Sequence, residues 1–264
     1  MPYAIEIQQL TRRFGAVLAL NHIAFNVDEH VIFGLLGSNG AGKSTAIKML
    51  TTLLKPSEGT AKVAGYDIVR QPQSVRRSIG YVPQMLSADG ALNGYENLLL
   101  SARLYGIAPS ETSTRIEEAL QLLELTDSAH RLVKTYSGGM IRRLELAQAM
   151  LHRPKVLFLD EPTIGLDPVA RHTVWDHLLK LRELYGMSIL ITTHDMEEAD
   201  HLCDEIAILH KGAVAIIGKP SSLKAGIGAD ATLDDVFAKY SGPPEQSGRL
   251  NATSETRRVA KRLG

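Results

Sequence analysis

The sequence predicts an α/β fold whose mostly parallel sheet is interrupted by a helical insertion. Short apolar runs, typical of buried strands, lie at 31–36, 79–83, 156–159 and 187–192. Helical patterns separate most of them, and helices that alternate with short apolar strands indicate a parallel sheet. From about residue 86 to residue 153 the apolar spacing is helical, so this stretch interrupts the α/β alternation.

Four strands and one helix are expected before the insertion, together with a short apolar stretch. The strands are expected at 4–7, 23–27, 31–36 and 79–83. The third run is continuously apolar, as in a strand buried on both faces, and it leads directly to Gly37. A helix is expected to begin after Lys43 and to continue through Leu50. A turn at 56–59 and an apolar stretch at 61–64 follow it.

Two amphipathic helices are expected within the insertion. Asn93 is the expected N-cap of the first helix, because Glu96 lies three residues later, the spacing of a capping box. The second helix is expected at 114–125, where one face carries the apolar side chains of Ile116, Ala119, Leu120 and Leu123.

The α/β pattern resumes after the insertion and ends in a polar tail. A strand at 156–159, a helix at 169–185 and a strand at 187–192 are followed by a hairpin around 211–217 and a short helix at 233–240. Residues 241–264 have no apolar period and end in a basic cluster. We expect a mobile, solvated tail there, with contact to a membrane surface or a partner as the alternative.

Composition argues against several functional classes. The 29 basic residues balance the 29 acidic ones, so no overall charge favours nucleic acid, and no nucleic-acid partner is expected. The single cysteine, Cys203, excludes an internal disulfide and fits a reducing compartment. No secretory signal and no apolar run long enough to span a membrane is visible, which predicts a cytosolic chain.

The first motif is a phosphate-binding loop that follows a buried strand and precedes a helix. It matches G-x-x-x-x-G-K-[ST] in that context, and its residues are Gly37, Ser38, Asn39, Gly40, Ala41, Gly42, Lys43, Ser44 and Thr45. Its glycines let backbone N–H groups surround phosphate oxygens at a helix N-terminus. Lys43 is expected to reach the β and γ phosphates of a nucleotide, and Ser44 to ligate magnesium. A glycine-rich turn is the alternative.

The second motif is a carboxylate pair at the end of a strand. Asp160 and Glu161 follow an apolar run, so they are delivered to the carboxyl edge of the sheet, where open α/β folds bind ligands. This place suits a magnesium contact from Asp160 and the activation of a water molecule by Glu161. Such a pair can also be a simple helix N-cap.

The third motif is a Ser-Gly-Gly turn that opens a helix. Ser137, Gly138 and Gly139 leave unpaired N–H groups at the helix start, which together form an anion site. In isolation a capped turn is the simpler interpretation. The order of the three motifs indicates instead a second phosphate contact, which the chain's own ATP need not occupy.

Six ordered motifs resemble those of the ATP-binding subunits of ABC transporters. They are 37–45, Gln84, 137–139, Leu159-Asp160-Glu161-Pro162, Gly165-Leu166-Asp167 and Thr193-His194. The resemblance spans about residues 3–222. Tyr136 and Met140, beside the Ser-Gly-Gly turn, and the motif at 232–237 are similar to the drug-resistance branch of exporters. His30-Val31 replaces the usual Gly-Glu, and Ile164 replaces a small polar residue.

The resemblance implies a P-loop NTPase (RecA-like) core with an N-terminal antiparallel β-subdomain and an inserted α-helical subdomain. It implies an ATP-binding domain at 1–240, with core 1–86 and 154–222, helical subdomain 87–153 and C-terminal extension 223–240. In such a subunit Phe14 would stack on adenine and Gln84 would contact magnesium and the attacking water. His194 would hold the γ-phosphate, and Asp167 would reach across a dimer interface.

The implied function is that of an ATPase that powers export through a separate membrane permease. Two copies, or one copy and a similar subunit, would enclose ATP and Mg2+ on the inner face of the plasma membrane, and the cargo could be a drug or antibiotic. The permease is expected to dock near 84–97 on the helical subdomain. The alternative is a soluble ABC-type ATPase that acts on DNA or ribosomes.

Overall fold

A computed structural model describes residues 3–241, in which two sheets and a group of helices pack against one another. The predicted tail at 241–264 therefore lies outside the described residues, except for Ser241. A four-stranded antiparallel sheet has the order β2-β1-β4-β5. Its strands are β1 (Tyr3–Phe14), β2 (Val17–Asp28), β4 (Glu58–Val63) and β5 (Tyr66–Asp67).

The second sheet has six strands in the order β10-β9-β3-β8-β7-β6. All neighbours are parallel except β10, which forms an antiparallel hairpin with β9. The strands are β3 (Ile32–Leu36), β6 (Ile79–Val82), β7 (Val156–Asp160), β8 (Ser188–Thr193), β9 (Glu205–His210) and β10 (Ala213–Gly218). The predicted fold class, with its antiparallel subdomain and mostly parallel core sheet, is confirmed.

Nine α-helices surround the sheets in the part of the chain that the structure describes. Their bounds are α1 (Lys43–Leu50), α2 (Pro72–Ser78), α3 (Gly94–Leu104), α4 (Pro109–Leu122), α5 (Gly138–Met150), α6 (Pro168–Tyr185), α7 (Met196–Leu202), α8 (Pro220–Ala225) and α9 (Leu233–Ser241). The predicted capping box at the start of α3 is present, with Asn93 and Glu96 each bonding the other's backbone N–H. None of these helices combines the length and the apolar character that crossing a membrane requires.

Several predicted element bounds are wrong, for identifiable reasons. Strands β1 and β2 are each 12 residues long, because shifts in their pairing interrupt the alternation that marks a strand. Gln9 and His22, both with positive φ, lie at these irregularities. Helix α4 begins at Pro109 rather than 114, since proline suits the first turn of a helix, and it ends at Leu122.

The central sheet separates two hydrophobic clusters. Alternate residues of β3 point to opposite faces, so Ile32 and Leu36 join the cluster on the helical side, whereas Phe33 and Leu35 join the cluster shared with the antiparallel sheet. Both faces of β3 are therefore buried, as its continuous apolar sequence predicts. This packing fixes the position of the loop that follows β3.

Helix α9, the last helix of the described residues, belongs to the hydrophobic cluster on the helical side of the central sheet. Leu233 and Val236 of α9 are buried in the helical-side cluster, and α9 packs on α7, α8 and β9. An ion pair between Lys224 and Asp200, at 2.6 Å, also ties α8 to α7. The boundaries at 86, 153 and 222 that divide the chain into subdomains stay a prediction.

The burial of α9 predicts that its apolar side chains stabilise the whole domain. Leu233→Ala is expected to lower the free energy of unfolding by about 2–5 kcal/mol, because truncation leaves a cavity in the core. Chemical denaturation measures the change. Lys239→Ala, at an exposed position of the same helix, serves as the control and is expected to change stability by about 0.5 kcal/mol or less. Equal effects of the two substitutions would contradict this packing.

Candidate active site and family

The phosphate-binding loop lies between β3 and α1, as predicted. Gly42 has a φ of 109°, in the left-handed region, and a Cβ atom there would lie 2.8 Å from the carbonyl oxygen of Ala19. Only glycine fits this conformation and this close approach without strain. Ala19 belongs to β2 of the antiparallel sheet, so this sheet restricts the conformation of the phosphate loop at Gly42.

Lys43 joins the loop to the second predicted motif. Its side chain is buried, and its Nζ donates to the carbonyl oxygens of Gly37, at 2.7 Å, and Ser38, at 3.3 Å. The same Nζ lies 3.1 Å from Oε1 of Glu161. The ammonium group that is expected to meet the phosphates is thus already adjacent to the carboxylate that is expected to activate water.

Asp160 is held by hydroxyl groups from two different elements. Its Oδ1 accepts hydrogen bonds from Ser44 Oγ, at 3.1 Å, and from Thr192 Oγ1, at 2.6 Å. Thr192 lies opposite Asp160 in the pairing of β7 with β8, which explains the contact. Thr192 was not predicted as a site residue, although a polar residue at the end of a buried strand is a usable signal.

Glu161 is the point where the predicted catalytic residues converge. Its Oε2 lies 3.3 Å from His194 Nδ1 and 3.4 Å from Gln84 Nε2, while Oε1 contacts Lys43. Its φ is 49°, a left-handed conformation that costs a non-glycine residue of the order of 1–3 kcal/mol. Hydrogen bonds from its N–H to Thr192 stabilise this turn of the backbone.

A buried carboxylate behind the site was not predicted. Glu198 of α7 accepts hydrogen bonds from Thr163 Oγ1, at 2.6 Å, and from Trp175 Nε1, at 2.9 Å. Burial raises the pKa of Glu198, and the hydrogen bonds that it accepts from Thr163, Thr193 and Trp175 oppose the shift. These contacts tie the segment after Glu161 to α6 and α7.

The Ser-Gly-Gly turn opens α5 at the surface of the molecule. Ser137 caps α5 by accepting a hydrogen bond from the N–H of Met140, at 3.3 Å, and both Ser137 and Gly138 are exposed. Within residues 3–241, no hydrogen bond joins 137–139 to 37–45. Asp167, which caps α6, lines the same cavity of about 210 Å3 as Ser137.

Two further predicted residues have distinct surroundings. Phe14 lies at the end of β1, and 46% of it is exposed, with the guanidinium of Arg12 4.6 Å from the centre of its ring. Tyr136 is buried, and its hydroxyl donates to the carbonyl oxygen of Ser128 at 2.6 Å. Tyr136 also fills the space beside Gly94, where a Cβ atom would lie 2.5 Å from its hydroxyl.

The fold and the site together define an ATPase built on a phosphate-binding loop, and comparison with known proteins gives its family. The family described as "ABC transporter" matches residues 20–164, more than half of the chain. The chain is 43% identical to the daunorubicin/doxorubicin resistance ATP-binding protein DrrA of Streptomyces peucetius, over 86% of this chain and 68% of that protein. It is 39% identical to the Nod factor export ATP-binding protein I of Burkholderia lata, over 94% of this chain and 85% of that protein.

Solved structures agree with this result. The structure of an ATP-binding subunit of an ABC transporter superimposes with a TM-score of 0.80 at 30% identity, covering 90% of this chain and 99% of that one. A dimeric ATP-binding cassette in a post-hydrolysis state, bound to ADP and Pi, gives a TM-score of 0.73 at 26% identity, covering 81% and 98%.

The chain belongs to the ABC transporter family. It is an ATP-binding and ATP-hydrolysing subunit of the exporter type, and its similarity to DrrA proteins matches the predicted drug-resistance branch. The predicted family and enzymatic class are therefore confirmed. The roles of individual site residues stay predictions.

The packing of α5 against α6 predicts different effects of substitution at the two glycines of the turn. A Cβ atom on Gly139 would lie 2.8 Å from Ala170 Cβ, whereas one on Gly138 would meet only Leu166, at 3.5 Å. Gly139→Ala is therefore expected to destabilise the fold by about 1–3 kcal/mol through overpacking. Gly138→Ala, the matched control, is expected to be neutral or slightly stabilising. Chemical denaturation compares them, and equal stabilities would argue against this packing.

Proposed function

We propose that two copies of the chain enclose two ATP molecules, each between residues 37–45 of one copy and residues 137–139 of the other. The observation that carries this proposal is a second anion-binding helix start that is exposed and makes no hydrogen bond to the phosphate loop within residues 3–241. Ser137 and Gly138 are exposed at a helix N-terminus, where N–H groups are available to a phosphate. Asp167 lies in the same cavity, so it is available to the interface. The dimeric post-hydrolysis relative supports the arrangement.

Within each site, Ser44, Asp160 and Gln84 are the proposed magnesium ligands. Mg2+ in nucleotide sites is bound by few protein groups together with phosphate oxygens and water. The hydroxyl of Ser44 and the carboxylate of Asp160 lie 3.1 Å apart beside the phosphate loop, and the side-chain amide of Gln84 contacts the neighbouring Glu161 through its nitrogen. When bound, the ion would neutralise charge on the phosphates.

Glu161 is proposed to accept the proton of the attacking water. Its carboxylate lies at the carboxyl edge of the sheet and contacts Lys43, Gln84 and His194. Lys43 would bind the β and γ phosphates, and His194 would hold the γ-phosphate and orient Glu161. Phe14, half-exposed at the end of β1, would stack on adenine. Catalysis would then consist of positioning and charge stabilisation around the γ-phosphate.

A surface groove on the helical side is the proposed docking site for a separate permease. Tyr81, Leu104 and Tyr105 line a cavity of about 310 Å3 together with polar groups of α3 and α5. Leu104 is 78% exposed, and Met85, two residues before Ser87 of the lining, is 83% exposed. Exposed apolar side chains in a groove are typical of a site that receives an amphipathic helix. This site overlaps the predicted docking region and would hold the subunit against the inner face of the plasma membrane.

The proposed cargo is a drug or antibiotic, because the resistance ATP-binding protein DrrA is among the similar proteins. The similarity to a Nod factor export protein makes a compound of the Nod factor kind the second candidate. The rival function, a soluble ATPase acting on DNA or ribosomes, would need a nucleic-acid surface and no permease. The balanced charge of the chain favours the transporter.

The role of Glu161 predicts a variant that separates ATP binding from hydrolysis. Glu161→Gln is expected to reduce turnover by about a hundredfold or more, because the base is lost while the shape is kept. ATP should then hold the variant as a stable dimer, which light scattering after gel filtration measures. Glu183→Gln, at an exposed position on α6, is the control and should keep wild-type turnover without a stable dimer. A Glu161→Gln variant that stays monomeric in saturating ATP without magnesium would overturn the enclosed-ATP proposal.

If the groove is the docking site, a charged substitution in it should weaken binding of the permease to this subunit. Leu104→Asp is expected to reduce copurification of an integral membrane protein with the tagged chain by about tenfold or more, because the charge lies at the centre of an apolar contact. Basal ATP turnover of the isolated subunit should not change. Leu184→Asp places the same charge at another exposed leucine, on α6, and should retain the partner. Recovery of nucleic acid or ribosomes instead of a membrane protein would favour the rival function.

A further inference from the structure

A buried ion pair on α5 links the Ser-Gly-Gly helix to the loop that carries Gln84. Arg142 and Glu145 lie one helical turn apart, and each is 3% exposed or less. Arg142 Nη1 is 2.9 Å from Glu145 Oε2. Removing two charges from water is costly, so a buried pair of this kind needs further hydrogen bonds to both groups. Among the described residues, every side-chain nitrogen and oxygen atom of the pair except Arg142 Nε has a partner.

Those further hydrogen bonds all reach the same loop. Arg142 donates to the carbonyl oxygens of Pro83, at 2.8 Å, and Gln84, at 3.0 Å. The Oε1 atom of Glu145 accepts hydrogen bonds from the hydroxyl of Ser87, at 3.0 Å, and from its backbone N–H. The two ends of the loop segment 83–87 are therefore both fastened to one turn of α5.

Gln84 is consequently bonded on two sides. Its carbonyl oxygen is held by Arg142 of α5, and its side-chain amide contacts Glu161 across the active site. The next residue, Met85, is exposed, so the core does not hold this part of the loop. A movement of Gln84 toward or away from Glu161 would be transmitted through Arg142 to the helix that begins at Gly138.

We propose that Arg142 and Glu145 are positioning residues that make α5 move together with the Gln84 loop. The proposal rests on the proposed function, in which Gln84 senses the nucleotide of its own chain and Ser137 binds the nucleotide of the other. The ion pair would join these two events in one rigid unit. A lysine could not replace Arg142 fully, because it lacks the planar fork that reaches two carbonyl groups and a carboxylate at once.

A charge-neutral double variant tests the proposal without leaving one buried charge unpaired. The double variant Arg142→Gln/Glu145→Gln is expected to fold. Its KM for ATP is expected to change by less than about threefold, because the substitutions leave the phosphate-binding loop at 37–45 unchanged. Its kcat is expected to fall by about tenfold or more, because Gln84 and Ser137 lose their common support. Retention of wild-type kcat in the folded double variant would overturn the proposal.

A spectroscopic measurement reports on the loop itself. A spin label on Met85→Cys should be clearly more mobile in the double variant than in the otherwise wild-type chain, whereas a merely structural ion pair would leave its mobility unchanged. Cys203 is buried, so the label is directed to position 85. The control is Arg153→Gln/Glu118→Gln, which removes an exposed ion pair of the same helical region and should change neither kcat nor the label's mobility.

The two readouts distinguish the possible failures. If the Glu161→Gln background forms no ATP-dependent dimer, the proposed function fails, but the mobility of the label still tests the link between α5 and the loop. If dimers form and the label is no more mobile in the double variant than in the otherwise wild-type chain, the ion pair does not position the loop, and this inference alone is wrong.

Discussion

The parallel pairing of β3, β8 and β7 is the constraint on which the active site depends. It places Leu36 opposite Thr193, and Thr192 opposite Asp160, so three strands end at one edge of the sheet. The phosphate loop and the carboxylate pair each follow directly from such an end. A shift of one residue in this pairing would turn Asp160 away from Ser44, since successive side chains point to opposite faces of a sheet.

Around that edge the molecule is organised as two connected halves. One half, the sheet edge, brings Lys43, Gln84 and His194 each into contact with Glu161. The other half, the start of α5, presents Ser137 to solvent. The loop after β6 lies between them and contacts both, through the side chain and the carbonyl group of Gln84. The arrangement suits a protein in which the occupancy of the site at the sheet edge must affect the position of Ser137 at the start of α5.

The local motifs of the fold and the site could be predicted from the sequence, whereas the contacts between distant residues could not, for physical reasons. The phosphate loop, the carboxylate pair and the capping box at Asn93 are local, because their residues are close in sequence and their geometry follows from it. Other contacts join residues that are far apart in sequence, and only the folded chain defines them. Thr192 bonds Asp160 across 32 positions, Glu198 bonds Thr163 across 35, and Arg142 bonds Gln84 across 58. Strand β1 was predicted too short because its irregular pairing hides the alternation.

Tyr136 illustrates what a subfamily marker can encode. In the folded chain this tyrosine is buried between α3 and the turn at Ser128, and its hydroxyl donates to the carbonyl oxygen of Ser128. The glycine at position 94 gives it room. In this chain the aromatic residue therefore records how the helical region packs. It says nothing direct about the cargo, so two transporters could share the marker and move unrelated compounds.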